Sequence, residues 1–194
     1  VFYLPHCKGL VKNENGSYFY DIEDLDHNGN VDLSDGGDRY IAGQATPKVI
    51  LGSNISFRYK NYYISIQMNG AFGHKIFNGT GLAYTSMACF PDYNVLKDAP
   101  KKNIMDQRVS DYWLEKGDYL NFEHLTIGYN VPLRSKLIRS LRVSCNISNI
   151  GTITGYKGLT PMINSYVVNS TMGIDDKRNY PLYRTYSLGL SVQF

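Results

Sequence analysis

Six oxygen-bearing side chains between Asp24 and Asp35 have the types and spacing to hold a hard cation. Asp24, Asp26, Asn28, Asn30, Asp32 and Asp35 fall at positions 1, 3, 5, 7, 9 and 12 of a twelve-residue loop, with Gly29 at position 6. That is EF-hand spacing: alternate oxygens wrap Ca²⁺, and the glycine permits the sharp turn. Val31 at position 8 supplies the apolar anchor. Two features depart from the pattern. Position 12 is Asp rather than a bidentate Glu, and no helical pattern flanks the loop. Asp, Asn and Gly also dominate solvated Asx-turns for purely local reasons. The expected role is a structural Ca²⁺ brace, not catalysis.

Little else in the chain could do chemistry. His6, His27, His74 and His124 show no ligand spacing and no adjacent nucleophile. No carboxylate pair, Ser/His/Asp order or phosphate-cradling Gly loop is present, so neither catalytic residues nor an organic cofactor is expected. Cys7, Cys89 and Cys145 are an odd set without metal spacing, and a Cys7–Cys89 disulfide has no support in the pattern. The net charge of +3 gives no reason to expect nucleic acid. Asn15, Asn54, Asn78, Asn146 and Asn169 match Asn-X-Ser/Thr by chance in a chain rich in these residues. Lys101, Lys102 and Arg108 read as solvated charges. Tyr84, Phe90 and Tyr93 in one long connection, and Tyr156, Tyr166 and Tyr180 in another, could stack on sugar, meet a partner or pack their own loops.

The elements that must position these residues are strands. The chain ends Y-S-L-G-L-S-V-Q-F: Tyr186, Leu188, Leu190, Val192 and Phe194 share one face, and Ser187, Gly189, Ser191 and Gln193 the other. Such alternation suits a barrel strand between lipid and a wet lumen, or a half-buried strand of a soluble sandwich. Four more strands are expected near 48–59, 62–72, 119–130 and 141–150. The third changes phase between Phe122 and Leu125, which a β-bulge near Glu123–His124 would reconcile. Cys145 falls on the apolar face of the fourth. Tyr is the compositional outlier, with 17 against 8 Phe and 1 Trp, as β structure with exposed faces favours. No apolar run of about 20 residues exists, so no transmembrane helix is expected. No signal peptide is visible, and a mature or truncated piece is expected.

The connections decide between lipid and core. Lys60–Asn61 and the stretch after Val131 are short; the stretches from Phe72 to Tyr119 and from Ile150 to Tyr183 are long. Short turns alternating with long loops are built into outer-membrane barrels, and a soluble sandwich rarely needs such loops.

Several stretches then resemble the SusC/RagA type of TonB-dependent outer-membrane transporter. They are D-L-D-H-N-G-N-V-D with D-R-Y-I-A-G (Asp24–Asp32, Asp38–Gly43), A-T-P-K-V-I-L-G-S-N-I-S-F (Ala45–Phe57) and G-A-F-G-H-K-I-F-N-G (Gly70–Gly79). The strongest is S-D-Y-W-L-E-K-G-D-Y-L-N-F-E-H-L-T-I-G-Y-N-V-P (Ser110–Pro132), and the strand patterns from Leu141 and from Tyr180 follow in family order. Departures are local: Gly36–Gly37 extend the Asp-rich loop, and Asn121, Glu123 and His124 replace the usual strand residues.

The resemblance implies an all-β fold, an antiparallel transmembrane β-barrel segment forming the last ~5 strands of a 22-stranded barrel with long extracellular loops. Residues 1–47 would be an extracellular loop carrying the EF-hand-like turn, and 48–194 the C-terminal barrel strands and loops. It further implies import of glycan or peptide oligomers across the bacterial outer membrane, without catalysis. The implied partners are the remaining barrel and plug, a SusD-like lipoprotein, the TonB complex, an oligosaccharide or peptide substrate and the lipid bilayer. Plug and TonB box do not fall within these residues, so a partial chain is expected. A secreted, calcium-braced β-sandwich that binds carbohydrate is the alternative, and a different outer-membrane barrel, such as an adhesin, a third.

Overall fold

The computed structural model describes residues 1–34, 36–134, 137–163, 172–177 and 179–194. Among them the strands run β1 (Phe2–Leu4), β2 (Cys7–Lys12), β3 (Tyr18–Ile22), β4 (Tyr40–Gly43), β5 (Val49–Tyr59), β6 (Tyr62–Phe72), β7 (Lys75–Asn78), β8 (Leu114–Lys116), β9 (Tyr119–Val131), β10 (Ser140–Thr154), β11 (Ile174–Asp175) and β12 (Thr185–Gln193). Two short helices, α1 (Gly79–Thr85) and α2 (Ala99–Lys102), lie between β7 and β8. No helix among the described residues is long and apolar enough to cross a membrane, which says nothing about strands. The chain divides into two units. One comprises 48–72, 118–155 and 181–194; the other comprises 1–47, 73–117 and 156–180.

The first unit is one antiparallel sheet in the order β12-β10-β9-β6-β5. Every neighbour in it is also the next of these strands along the chain. The five expected strands are all present. β5 and β6 meet at the two-residue turn Lys60–Asn61, where Lys60 adopts φ 53°. With 11, 11, 13, 15 and 9 residues, the strands reach or approach the ~9–11 needed to cross a bilayer.

Register makes the two faces explicit. Phe57, Ile64, Ile127, Cys145 and Leu188 stand in one row across the five strands, and Ile55, Ile66, Leu125, Ile147 and Tyr186 in the next. Between these rows, on the opposite face, lie Ser56, Ser65, Thr126, Asn146 and Ser187. The bulge sits where the phase change requires it. Gln67 pairs with His124 and Met68 with Phe122, leaving Glu123 as the extra residue on β9. Leu120 and Phe122 thereby join Leu125 and Ile127 on the apolar face. The bulge residues and Asn121, the departures from the family pattern, all have partners. Gln67 donates to Glu123 at 3.1 Å, His124 meets Ser148 at 3.1 Å, and Thr152 donates to Asn121 at 2.8 Å.

The second unit draws three separated chain segments around a small core of Phe2, Tyr20, Ile22, Phe77, Ile104 and Trp113. It holds the pairs β1–β4 and β2–β3 and the sheet β11-β7-β8, in which β11 and β7 run parallel. The long connections thus carry structure of their own. Cys7, Cys89 and Cys145 are free thiols, so no Cys7–Cys89 disulfide forms. Tyr156 does not project for stacking: it is buried, and its hydroxyl donates to Asp175 at 2.7 Å. Phe90, Tyr93 and Tyr180 are exposed. Tyr166 and Asn169 lie outside the described residues.

Candidate functional site

Side chains on the polar face of the sheet bond sideways to one another. Ser56 and Ser65 hydroxyls are 3.0 Å apart, Ser65 donates to Asn54 at 3.0 Å, and Thr126 donates to Asn146 at 2.9 Å. Arg142 donates to Asn130 at 2.9 Å, and its guanidinium lies 5.3 Å from the Tyr63 ring centre. Tyr63 lies across from Gly128, where an added Cβ would fall 1.9 Å from the ring. The glycine is the recess that lets the ring lie flat along the sheet. Opposite, the two apolar rows carry no charged or amide side chain, and Leu188 remains 84% exposed. At the turn end of the sheet, the Tyr62 and Tyr129 ring centres lie 4.6 Å apart, the rings tilted by 41°. Aromatic side chains at the end of an apolar band suit a membrane interface.

The Asp-rich loop folds around its own side chains. Asp24 accepts from the N–H groups of Asn28 at 3.3 Å and Gly29 at 2.8 Å. Asp26 accepts from the Asn28 N–H at 3.1 Å and its amide at 2.8 Å, and Asn28 accepts from Asn30 N–H at 2.8 Å. His27 (φ 58°) and Gly29 (φ 87°) take left-handed backbone, which the turn needs. The Gly29 N–H, with smaller help from its neighbours, holds the Asp24 carboxyl below the usual carboxylate range. Asp32 turns both oxygens to Ser34 and is lowered likewise by that hydroxyl and N–H.

A residue absent from the spacing argument anchors the loop. Asp38 is fully buried, and its carboxylate accepts from the N–H groups of Leu25 at 2.5 Å, Asp26 at 3.3 Å and Asp32 at 2.7 Å. Carboxylate oxygens of Asp24, Asp26 and Asp38 lie within 4.8 Å of one another, the one such acidic cluster among the described residues. Asp32 stands outside that cluster, and Asp35 lies outside the described residues. Converging carboxylate oxygens are compatible with a hard cation. The two family-departing glycines explain how Asp38 reaches in. Gly36 takes φ 95°, and a Cβ on Gly37 would fall 2.5 Å from the Asp32 carbonyl oxygen.

The Ser110–Pro132 block, the strongest sequence signal, begins in a hub of the second unit. Asp111 accepts from the Cys7 N–H at 2.7 Å and the Tyr40 hydroxyl at 2.7 Å, and meets His6 Nδ1 at 2.6 Å. Trp113 donates its indole N–H to the Tyr20 hydroxyl at 2.9 Å. Glu115 accepts from Asn78 Nδ2 at 2.9 Å and the Lys157 N–H at 2.8 Å. Asn78 in turn caps α1, accepting from Gly81 N–H at 2.6 Å. Three residues at two-residue spacing therefore tie all three chain segments of the unit together. Partial burial pushes the Asp111 carboxyl up, but the bonds from Tyr40, His6 and Cys7 outweigh it and hold the group low. The stabilisation is fully present above the usual carboxylate range and is lost as pH falls through the lowered value. Acid should therefore release the Cys7–Lys12 segment first, read as a loss of amide-exchange protection there relative to the intrinsic rate at each pH; Asp111→Asn should make that protection independent of pH in the acid range.

An antiparallel sheet with one bare apolar face and one laterally hydrogen-bonded polar face is the construction of a membrane β-barrel wall. No family model matches the chain. It is 28% identical over 188 residues to TonB-dependent receptor P3 of Formosa agariphila, and 27% identical over 198 residues to TonB-dependent receptor SusC of Bacteroides thetaiotaomicron. These alignments cover 88% and 95% of this chain, which spans only 18% of either relative's length. Solved structures of the RagAB peptide importer in its open-open and closed-closed states superpose with TM-scores of 0.75 and 0.73 at 18% and 16% identity. They cover all of this chain and 22% and 23% of theirs. The resemblance read from the motifs holds: the chain is similar to SusC-type TonB-dependent receptors over most of its length, shares the fold of the RagAB neighbours, and fits as a C-terminal piece of such a protein.

Proposed function

We propose that this chain is a stretch of barrel wall and surface loops in an outer-membrane importer driven through TonB. The observation that carries the reading is the five-residue register rows, apolar on one face and polar on the other, in a chain homologous to SusC-type receptors. The apolar rows would face lipid and the polar rows the lumen. β5 and β12, at the sheet edges, would pair with the rest of a 22-stranded barrel, since an open edge in hydrocarbon is costly. The second unit would be the extracellular loops. A SusD-like lipoprotein, a plug and the TonB complex would complete the machine, and its cargo would be a glycan or peptide oligomer. Its role would be import rather than catalysis. A closed soluble sandwich would have covered Leu188 and its neighbours, so the exposed apolar face favours the membrane reading over that alternative.

The test is purification of the whole native protein containing this chain. Extraction only with detergent, co-purification of a lipoprotein and TonB-dependent uptake support the reading. A soluble, monomeric species in plain buffer would overturn it.

Within the same reading, the Asp-rich loop would hold a structural Ca²⁺. Asp24, Asp26 and Asp38 would supply charge, with Asn28, Asn30, Asp32 and Asp35 as the further oxygens of the sequence pattern. Adding Ca²⁺ to the chelator-treated receptor should slow amide exchange across residues 24–38, and Asp26→Asn should abolish the response. Unchanged exchange on adding Ca²⁺ would remove the metal from the account.

A further inference from the structure

The second unit contains a cleft of about 490 Å³ beside Trp113, distinct from the Asp-rich loop. Its volume lies in the range of small-ligand sites, about 300–1,000 Å³. The indole is fixed by its bond to Tyr20, and α1 approaches it closely because Gly81 has no side chain: a Cβ there would lie 2.7 Å from the ring. Tyr112 packs edge-on against Trp113 at 5.1 Å yet stays 38% exposed, offering part of its ring to the cleft.

Lys97, Lys102 and Lys157 line the same cleft, and Lys102 Nζ stands 6.0 Å from the Trp113 ring centre. None of the three forms an ion pair with a carboxylate of the described residues. The cleft's two carboxylates do not cancel them. Glu115, whose oxygens accept from Asn78 and the Lys157 N–H, and Asp98 set two negative charges against three ammonium groups. An aromatic face suits the C–H face of a sugar ring, and ammonium groups suit a carboxylate.

We propose that this cleft binds an acidic saccharide, a uronate unit lying against Tyr112 with its carboxylate held by Lys102 and Lys157. This deepens the import reading and rests on it for the origin of the ligand. The test is calorimetric titration of the whole receptor in detergent with trigalacturonate, maltotriose and trialanine. Trigalacturonate should bind at least about tenfold more tightly than maltotriose, and Lys102→Gln with Lys157→Gln should remove that advantage, as loss of a charge-assisted contact predicts. Binding should also weaken between about 0.05 M and 0.5 M salt. Both lysines are exposed, so the variant leaves the core intact.

Equal trigalacturonate affinity in wild type and variant would overturn the proposal. So would trialanine binding as tightly with the same lysine dependence, or no binding because the rest of the receptor fills the cleft. Uptake is measured separately. A receptor that imports but binds without the lysines loses the cleft and keeps the import reading; lysine-dependent binding without TonB-dependent uptake does the reverse.

Discussion

Ile127→Arg should prevent the receptor from assembling in the outer membrane, while Thr126→Arg, one residue away, should be tolerated. Ile127 occupies the central strand of the sheet in the row Phe57, Ile64, Ile127, Cys145, Leu188. If that row meets hydrocarbon, an arginine there costs about 2–4 kcal/mol near the midplane. Neighbouring substitutions on the lipid face would add similar amounts. Thr126 stands in the polar row, where it donates to Asn146. Its replacement loses one neutral hydrogen bond, about 1 kcal/mol, and places the guanidinium in the lumen. The measurement is the heat-modifiable gel shift of the folded barrel in isolated outer membranes. Equal loss in both variants, or in neither, would mean the two faces do not meet different media.

Removing the Asp38 carboxylate should open the Asp-rich loop. Asp38→Ala leaves the N–H groups of Leu25, Asp26 and Asp32 without their acceptor inside a fully buried position. An unsatisfied buried donor costs about 1–3 kcal/mol, so a local loss of about 3 kcal/mol is expected even after water enters. Asp38→Asn should be milder. Its carbonyl can still serve Leu25 and Asp26, but its amide would face the Asp32 N–H, donor against donor. Amide exchange and limited proteolysis across residues 24–38 of the whole receptor report the change. If the alanine variant exchanged like wild type, the loop would be held by something other than this residue.

The strands were legible because alternation is a local signal that survives without neighbours. Tyr62–Phe72 could be read to the residue, and the change of phase between Phe122 and Leu125 located the bulge at Glu123. The Asp-rich turn was legible in part: Asp24 and Asp26 come together as their spacing implied. Asp38 was missed because it opens what reads as a separate motif, D-R-Y-I-A-G. The Gly36–Gly37 pair before it was the available clue, since two glycines mark a close backbone approach. The second unit's core was not legible at all. Phe2, Phe77, Ile104 and Trp113 sit in apolar runs too short to show which side is buried, and only Tyr18, Tyr20 and Ile22 alternate, over a single five-residue strand. The contacts that join them span the length of the chain, and no local pattern encodes them. The same holds for the cleft, whose Lys102 read as an ordinary solvated charge and whose Lys97 and Lys157 drew no notice.

The two units close their contacts on different schedules. Each strand of the five-stranded sheet pairs with the next of its strands along the chain, so the sheet can grow by successive additions as the chain emerges. The loop unit cannot. Its β11 pairs in parallel with β7 nearly a hundred positions earlier, and Asp175 fastens Thr80 and Tyr156 in the same closure. Pairings so distant in sequence are slow to form. The second unit is therefore expected to be the last part of this chain to acquire its structure, and, where it forms the extracellular loops as proposed, it would stay exposed to surface proteases until then.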